Sequence, residues 1–115
     1  MKEVLRICRS LVGDNQALDA IESLLTLLNR ENLTHPELKL LRNDLIVKKW
    51  QFVDFKNHNS TYDENHWNFS KFIMAANGSL LDLLDKIEIY CDVIESMDIF
   101  PGWKRDFLRR YGNKY

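Results

Sequence analysis

Two histidines and two carboxylates lie close together in the segment NHNSTYDENHW, and these side-chain types bind zinc in proteins. His58 and His66 flank Asp63 and Glu64. Their spacing matches neither H-E-x-x-H nor C-x2-C, so a solvated loop that leads into a capped helix is the better interpretation. The sequence also contains no G-x-S-x-G nucleophile elbow and no glycine-rich phosphate loop. We therefore predict no catalytic residue, no metal and no cofactor.

A second pair, Arg30 and His35, has the spacing R-x4-H. This spacing resembles the pattern of the HEPN-like proteins, a family of small helical ribonucleases and nucleotide-binding domains. The resemblance implies a nucleic-acid-binding or ribonuclease domain that uses Arg30 and His35, and this is the alternative function. In that family the two residues lie within one helix, whereas here Arg30 precedes a helix cap and His35 begins the next helix. An exposed histidine in a first helical turn is the simpler interpretation.

Carboxylates recur at helical spacing near the carboxyl end of the chain, while apolar residues in the same stretch repeat on another face. Close carboxylates on a helix repel each other by about a few tenths of a kcal/mol per pair, and a basic partner would remove that cost. Such a surface would speed association with a protein that has a basic cleft. We call this set the acidic stripe, and it consists of Asp82, Asp85, Glu88, Asp92 and Glu95.

The rim of the same binding surface is predicted to include Tyr62 and Asp63. Trp67 and Tyr90 are further candidates for aromatic anchors, although packing in the core is the simpler interpretation for Trp67. An ordinary solvated helix face would produce the same carboxylate pattern. The sequence leaves both interpretations of the acidic stripe open.

The charge is unevenly distributed although the net charge is only -1. Residues 79–100 hold six acids and one lysine, whereas residues 102–115 hold five bases and one aspartate. The basic segment could contact nucleic-acid phosphates. The preferred interpretation places its aromatic side chains on the core, while Arg109 and Arg110 offset the carboxyl end of their own helix. It also allows these bases to pair with the acidic stripe within the molecule.

The elements that must position these side chains are helices. Apolar residues recur with helical period in five or six segments. The chain has four glycines and two prolines, too few for a turn-rich sandwich or barrel, and its 115 residues suit a single modest core. We predict an all-α fold, a compact bundle of five or six helices that forms a single domain over residues 1–115.

Cap and turn residues set the predicted helix boundaries. Asp14 is predicted to cap the second helix. Thr34 and Glu37 form a capping box for a third helix over residues 35–55. Because residues 45–55 are rich in β-branched and aromatic residues, a strand in part of this segment is an alternative.

The helix that carries the acidic stripe is predicted to be a single rod through most of residues 79–100. Asn77 and Gly78 are predicted to end the helix before it in left-handed geometry, and Ser79 is predicted to cap the rod. Residues 103–111 are predicted to form the last helix.

The amino terminus and the cysteines indicate the compartment. The first residues are too charged for a signal peptide, and no apolar run approaches the ~18 residues of a membrane span. Cys8 and Cys91 each lie in a helical pattern and are interpreted as reduced core thiols. We predict a cytoplasmic protein without a membrane partner, and nucleic acid is not the expected partner.

In size, in the lack of a signal sequence and in overall texture, the chain resembles the small immunity proteins that bacteria make against their own toxins. The segment GDNQALDAIESLLTLL, an acid-capped leucine helix, is similar to helices in several of them. The resemblance implies a non-catalytic protein that binds a cognate toxin domain, often a nuclease, and occludes its active cleft. The predicted partner is therefore a protein with a basic cleft, and the sequence predicts no oligomeric state.

Overall fold

The computed structural model describes residues 1–58 and 66–115 of the chain, and the side chains of residues 1–54 and 71–115. Within these residues there are helices and no strand, which confirms the all-α prediction and its count of five or six helices. The six helices are α1 (Lys2–Gly13), α2 (Ala17–Leu28), α3 (Pro36–His58), α4 (His66–Ile89), α5 (Cys91–Glu95) and α6 (Phe100–Tyr111).

The centre of the core lies between α1 and α2, because each of these helices buries a broad apolar stripe. Leu5 and Leu11 of α1 and Ile21 and Leu24 of α2 are fully buried. Complete burial of one such side chain contributes about 1.5–3 kcal/mol. α2 packs on α3, α3 packs on α4, and α4 returns to α1. The helices therefore enclose one continuous core.

The turn between α1 and α2 corrects the predicted cap at Asp14. α2 begins at Ala17, and the residue at its cap position, Gln16, makes no side-chain cap bond. Asn15 adopts a φ of 61°, the left-handed conformation that asparagine tolerates in turns. Asp14 lies too early to cap α2, and its Oδ2 instead accepts a hydrogen bond of 2.6 Å from the hydroxyl of Tyr115.

The segment for which a strand was an alternative is helical, since α3 runs without interruption from Pro36 to His58. Its buried side chains recur at helical steps, and burying that stripe outweighs the β preference of the residues between them. The buried residues are Leu38, Leu41, Leu45 and Phe52.

The first turn of α3 is capped differently from the prediction. His35 Nδ1 accepts a hydrogen bond of 3.4 Å from the backbone amide of Leu38. Within the described residues this contact takes the place of the capping box predicted for Thr34 and Glu37. The imidazole acts as the acceptor that a free first-turn amide requires.

The helix break predicted at Asn77 and Gly78 is wrong, because α4 passes through both residues. Ala76 and Leu80, on either side, are buried in the same apolar stripe. A break between them would turn one of these side chains away from the core. The predicted cap at Ser79 is consequently an interior position of α4.

The prediction of a single rod is also wrong at its other end. α4 ends at Ile89, and Tyr90 (φ −103°, ψ 19°) separates it from the short helix α5. The local sequence IEIYCDVI is dense in β-branched and aromatic residues, which are mediocre helix formers. The break lets α5 place Ile94 in the core.

The last helix begins three residues before its predicted start, with Pro101 in the first turn, where a missing amide proton has no cost. Phe107 and Tyr111 are buried, and the rings of Trp103 and Phe107 stack with centroids 5.2 Å apart. The aromatic residues of the basic segment therefore pack on the core. Across residues 1–58 and 66–115, no helix has both the length and the apolar character that a bilayer crossing requires.

Replacement of Gly78 by alanine tests the continuity of α4. Apart from the adjoining backbone of α4 and its two chain neighbours, a Cβ at Gly78 would have no atom within 4 Å, and Gly78 does not adopt a positive φ. We expect Gly78→Ala to raise the free energy of unfolding by about 0.5–1 kcal/mol, because alanine loses less backbone entropy in a helix. Urea titration followed by circular dichroism measures this change.

Gly112→Ala is the comparison for this test, since its Cβ would come within 2.5 Å of the carbonyl oxygen of Leu108. We expect that variant to lose stability. A loss of stability in Gly78→Ala would contradict the continuous helix and restore the predicted break.

Candidate protein-binding site

The acidic stripe is divided between two helices. Asp82, Asp85 and Glu88 lie on α4, whereas Asp92 and Glu95 lie on α5. Asp82, Asp85, Asp92 and Glu95 are exposed and Glu88 is half-buried. The division follows from the break at Tyr90, and it does not bury any of the five carboxylates.

Arg9 of α1 holds two of these carboxylates. Its Nη2 lies 2.8 Å from Asp85 Oδ1 and 3.2 Å from Glu88 Oε2. Burial lowers the pKa of the Arg9 guanidinium, but hydrogen bonds and charges from the two carboxylates outweigh it and raise that pKa above its ordinary value. The arginine therefore stays charged and links α1 to α4.

Glu95 has a different partner, the terminal ammonium of Met1, whose nitrogen lies 2.7 Å from Glu95 Oε1. This hydrogen bond and charge, with smaller contributions from Lys104 and Lys2, hold the pKa of Glu95 below its ordinary value. A carboxyl group with a lowered pKa stabilises the fold above its unfolded pKa, and this contribution is lost as the pH falls through the folded value.

The carboxylates of Asp82 and Asp92 have no hydrogen-bonding or ionic partner among the described residues. The ion pairs that those residues make with the acidic stripe come from α1 and the amino terminus, and not from the basic helix α6. Arg9 and the terminal ammonium thus pair with three of the five carboxylates. The charges of Asp82 and Asp92 are not neutralised by an ion pair within the described residues.

Ile89 is a residue of this surface that the sequence interpretation missed. It is 75% exposed, although a residue of its type is usually buried. It follows Asp82 by seven residues and Asp85 by four, so it lies on their face of α4. That spacing is visible in the sequence and could have identified it.

Several predicted residues cannot be placed on this surface. Tyr62 and Asp63, the predicted rim, lie outside the described residues, and so does the side chain of Trp67. The possible zinc ligands His58, Asp63, Glu64 and His66 also have their side chains outside the described part. Elsewhere in the described chain, no three potential metal ligands come together. Tyr90 is half-buried and meets the ring of His35 edge to face, with centroids 5.5 Å apart.

Arg30 and His35 line the same open groove, which has a volume of about 390 Å³ and also includes Asp98. Neither residue lies inside a helix, because α2 ends at Leu28 and α3 begins at Pro36. The His35 Nδ1 is occupied by the backbone amide that it caps. The structure therefore places the R-x4-H pair in one groove without the shared helix of the HEPN-like pattern.

A second groove, of about 450 Å³, lies between α2 and α6. Trp103 Nε1 donates hydrogen bonds to Ser23 O at 3.0 Å and to Thr26 Oγ1 at 2.9 Å. These bonds fix the indole as a packing residue between the two helices. The groove wall mixes acids with Arg30 and Arg110, so it has no single charge that would select a ligand.

The two cysteines are free, as predicted, but only Cys8 is fully buried. Burial raises the pKa of the Cys8 thiol to about 12, so it is protonated at neutral pH and cannot act as a nucleophile. Burial also raises the pKa of Cys91, and the neighbouring carboxylates act in the same direction. The interpretation as a core thiol therefore fits Cys8 better than the half-buried Cys91.

No protein-family model, curated protein or solved structure matches this chain.

Replacement of Arg9 by glutamine tests its bridging role. We expect Arg9→Gln to lower the free energy of unfolding by about 1 kcal/mol at low ionic strength, because two carboxylates lose their shared cation. The loss should shrink as salt screens the remaining repulsion. Chemical denaturation at two salt concentrations measures both effects.

Arg105→Gln is the matched control, since Arg105 is exposed on α6 and makes no ion pair within the described residues. We expect its effect to be small and independent of salt. Equal losses in the two variants would contradict a specific bridge from Arg9.

Proposed function

We propose that this chain is a non-catalytic protein-binding module, an immunity- or antitoxin-type inhibitor that binds and occludes a nuclease-like toxin domain. The acidic stripe would dock into the basic cleft of that domain. The observation that carries the proposal is the exposure of Ile89 on the same helical face as Asp82 and Asp85. In this proposal the protein acts in the cytoplasm.

An exposed apolar side chain next to carboxylates has the composition of a small protein interface. Interfaces concentrate their affinity in an apolar centre and surround it with polar groups that exclude water and set orientation. Ile89 would supply such a centre, with Asp82 and Asp85 at its edge. Ile89 is 75% exposed, so a partner that covers it would gain the free energy of burying its apolar surface.

The contacts of Arg9 also favour docking. Its Nη2 uses one oxygen of Asp85 and one of Glu88, and leaves Asp85 Oδ2 and Glu88 Oε1 available to a partner. The bridge limits the motion of both side chains before binding, which reduces the entropy that association would cost. Asp82 and Asp92, which have no ion-pair partner among the described residues, would attract a basic cleft to this surface.

Charge reversal at Asp82 and Asp92, which have no partner among the described residues, tests the proposal and leaves the Arg9 bridge intact. We expect Asp82→Lys and Asp92→Lys each to slow association with the toxin about tenfold at low ionic strength, and less at high salt. We expect Ile89→Ala to speed dissociation about tenfold. Stopped-flow or surface plasmon resonance with a nuclease-domain toxin encoded by a neighbouring gene measures both rates.

Glu22→Lys, an exposed reversal on α2, serves as the control and should leave both rates unchanged. Circular dichroism should show that all four variants remain folded. Association rates that stay unchanged on reversal of Asp82 and Asp92 would show that the acidic stripe is not part of the interface.

The alternative function is a small nucleic-acid-binding or ribonuclease domain, and the groove shared by Arg30 and His35 is the observation in its favour. Binding through Arg30 and the bases of α6 would weaken steeply as salt increases. A mobility-shift titration with single-stranded RNA, paired with a cleavage assay, tests this function. The proposal of a protein-binding module predicts no shift at low salt, whereas a shift abolished by Arg30→Gln and His35→Ala would favour the alternative.

A further inference from the structure

The outer face of α3 carries three large apolar side chains in contact with water. Leu40 is 58% exposed, Val47 is 54% exposed and Trp50 is 61% exposed. They lie on the side of α3 opposite its buried stripe, where no helix of the described residues covers them. This surface is separate from the acidic stripe, which lies on α4 and α5.

The spacing of these residues is that of a helix that packs lengthwise against another helix. With Asn43 included, the positions follow one another at steps of three, four and three, the a and d positions of two heptads. Leu40 and Val47 take a positions, where a β-branched residue such as valine favours two-stranded packing, and Asn43 and Trp50 take d positions. We call these four residues the outer seam.

The charges beside the outer seam identify its partner. Lys39 precedes the seam at a g position and Asp44 follows it at an e position. Both are exposed, and neither makes an ion pair with any of the described residues. In a parallel pair of helices a g position faces the e position five residues later on the other helix. Lys39 of one copy would therefore face Asp44 of a second copy, and the two-fold symmetry would repeat the pair.

An antiparallel pairing lacks this complementarity. It would bring g positions against g positions and e positions against e positions. Asp44 would then lie beside the e positions Glu37 and Gln51 of the other copy. Lys39 would lie beside the g position Ile46 of that copy. The charges thus favour the parallel arrangement over the antiparallel one.

We propose that α3 is a dimerisation helix, through which two copies of this chain pack their outer seams side by side, parallel and in register. The packing would remove six large apolar side chains from water, three from each copy, and tryptophan alone can bury about 150–250 Å². In-register packing places Asn43 against Asn43 of the other copy, where the two amides can hydrogen-bond and fix the register. This inference is independent of the proposed toxin binding.

Sedimentation equilibrium of the full chain, from low micromolar to near-millimolar concentration, tests the proposal. We expect a concentration-dependent rise toward twice the chain mass of 13.7 kDa. Val47→Glu should abolish the dimer, because it places two carboxylates in the seam. Met74→Glu, at a 73% exposed position of α4, should leave the dimer unchanged.

A charge exchange tests the parallel arrangement. Lys39→Glu and Asp44→Lys should each raise the dimer dissociation constant roughly tenfold at low salt, because each creates two like-charged pairs across the seam. The double variant Lys39→Glu/Asp44→Lys should restore the original value. A monomer at every concentration, or a dimer that survives Val47→Glu, would overturn the proposal. A dimer that Val47→Glu abolishes but the double variant does not restore would overturn the parallel arrangement.

Discussion

The continuous burial of one face of α4 is the constraint on which the rest of the molecule depends. Leu80, Leu84 and Ile87 are fully buried, and Ala76 extends the same stripe to the far side of Gly78. With that face fixed in the core, the positions between its members must point outward or toward α1. Asp82 and Ile89 are thereby exposed, and Asp85 and Glu88 come within reach of Arg9. The candidate site is thus a consequence of packing on the opposite side of the helix.

The sequence was sufficient to predict the fold class because burial has a period. Leu80, Leu84 and Ile87 recur at helical steps, and so do the buried residues of the other helices. The same argument predicted which face of α4 would carry carboxylates. The predicted break at Asn77 and Gly78 came instead from local turn chemistry. It was wrong because burial of Ala76 and Leu80 on one stripe outweighs the ~1 kcal/mol that a glycine costs inside a helix.

What the sequence could not supply was the partner of each charged side chain. The basic residues of α6 are near the acidic stripe in sequence, and the sequence interpretation allowed the two to pair. The ion pairs instead come from the amino-terminal ammonium and from Arg9, which lies 76 residues before Asp85 and reaches it because α1 packs directly on α4. Helical periodicity describes one element at a time, whereas an ion pair between helices depends on how two elements are placed against each other. The break at Tyr90 also depends on how elements are placed against each other, because it is coupled to the burial of Ile94.

If the acidic stripe docks a partner as proposed, partial neutralisation would serve it better than either extreme. Complete pairing with internal cations would leave no field to attract a basic cleft, and the absence of pairing would leave five mobile carboxylates that repel one another. Arg9 fixes Asp85 and Glu88 in the middle of the surface, while Asp82 and Asp92 remain unpaired among the described residues on either side. A partner that approaches Ile89 would therefore meet two carboxylates already held in position and two that are free to adjust. The held pair lowers the entropic cost of binding, and the free pair supplies the long-range attraction.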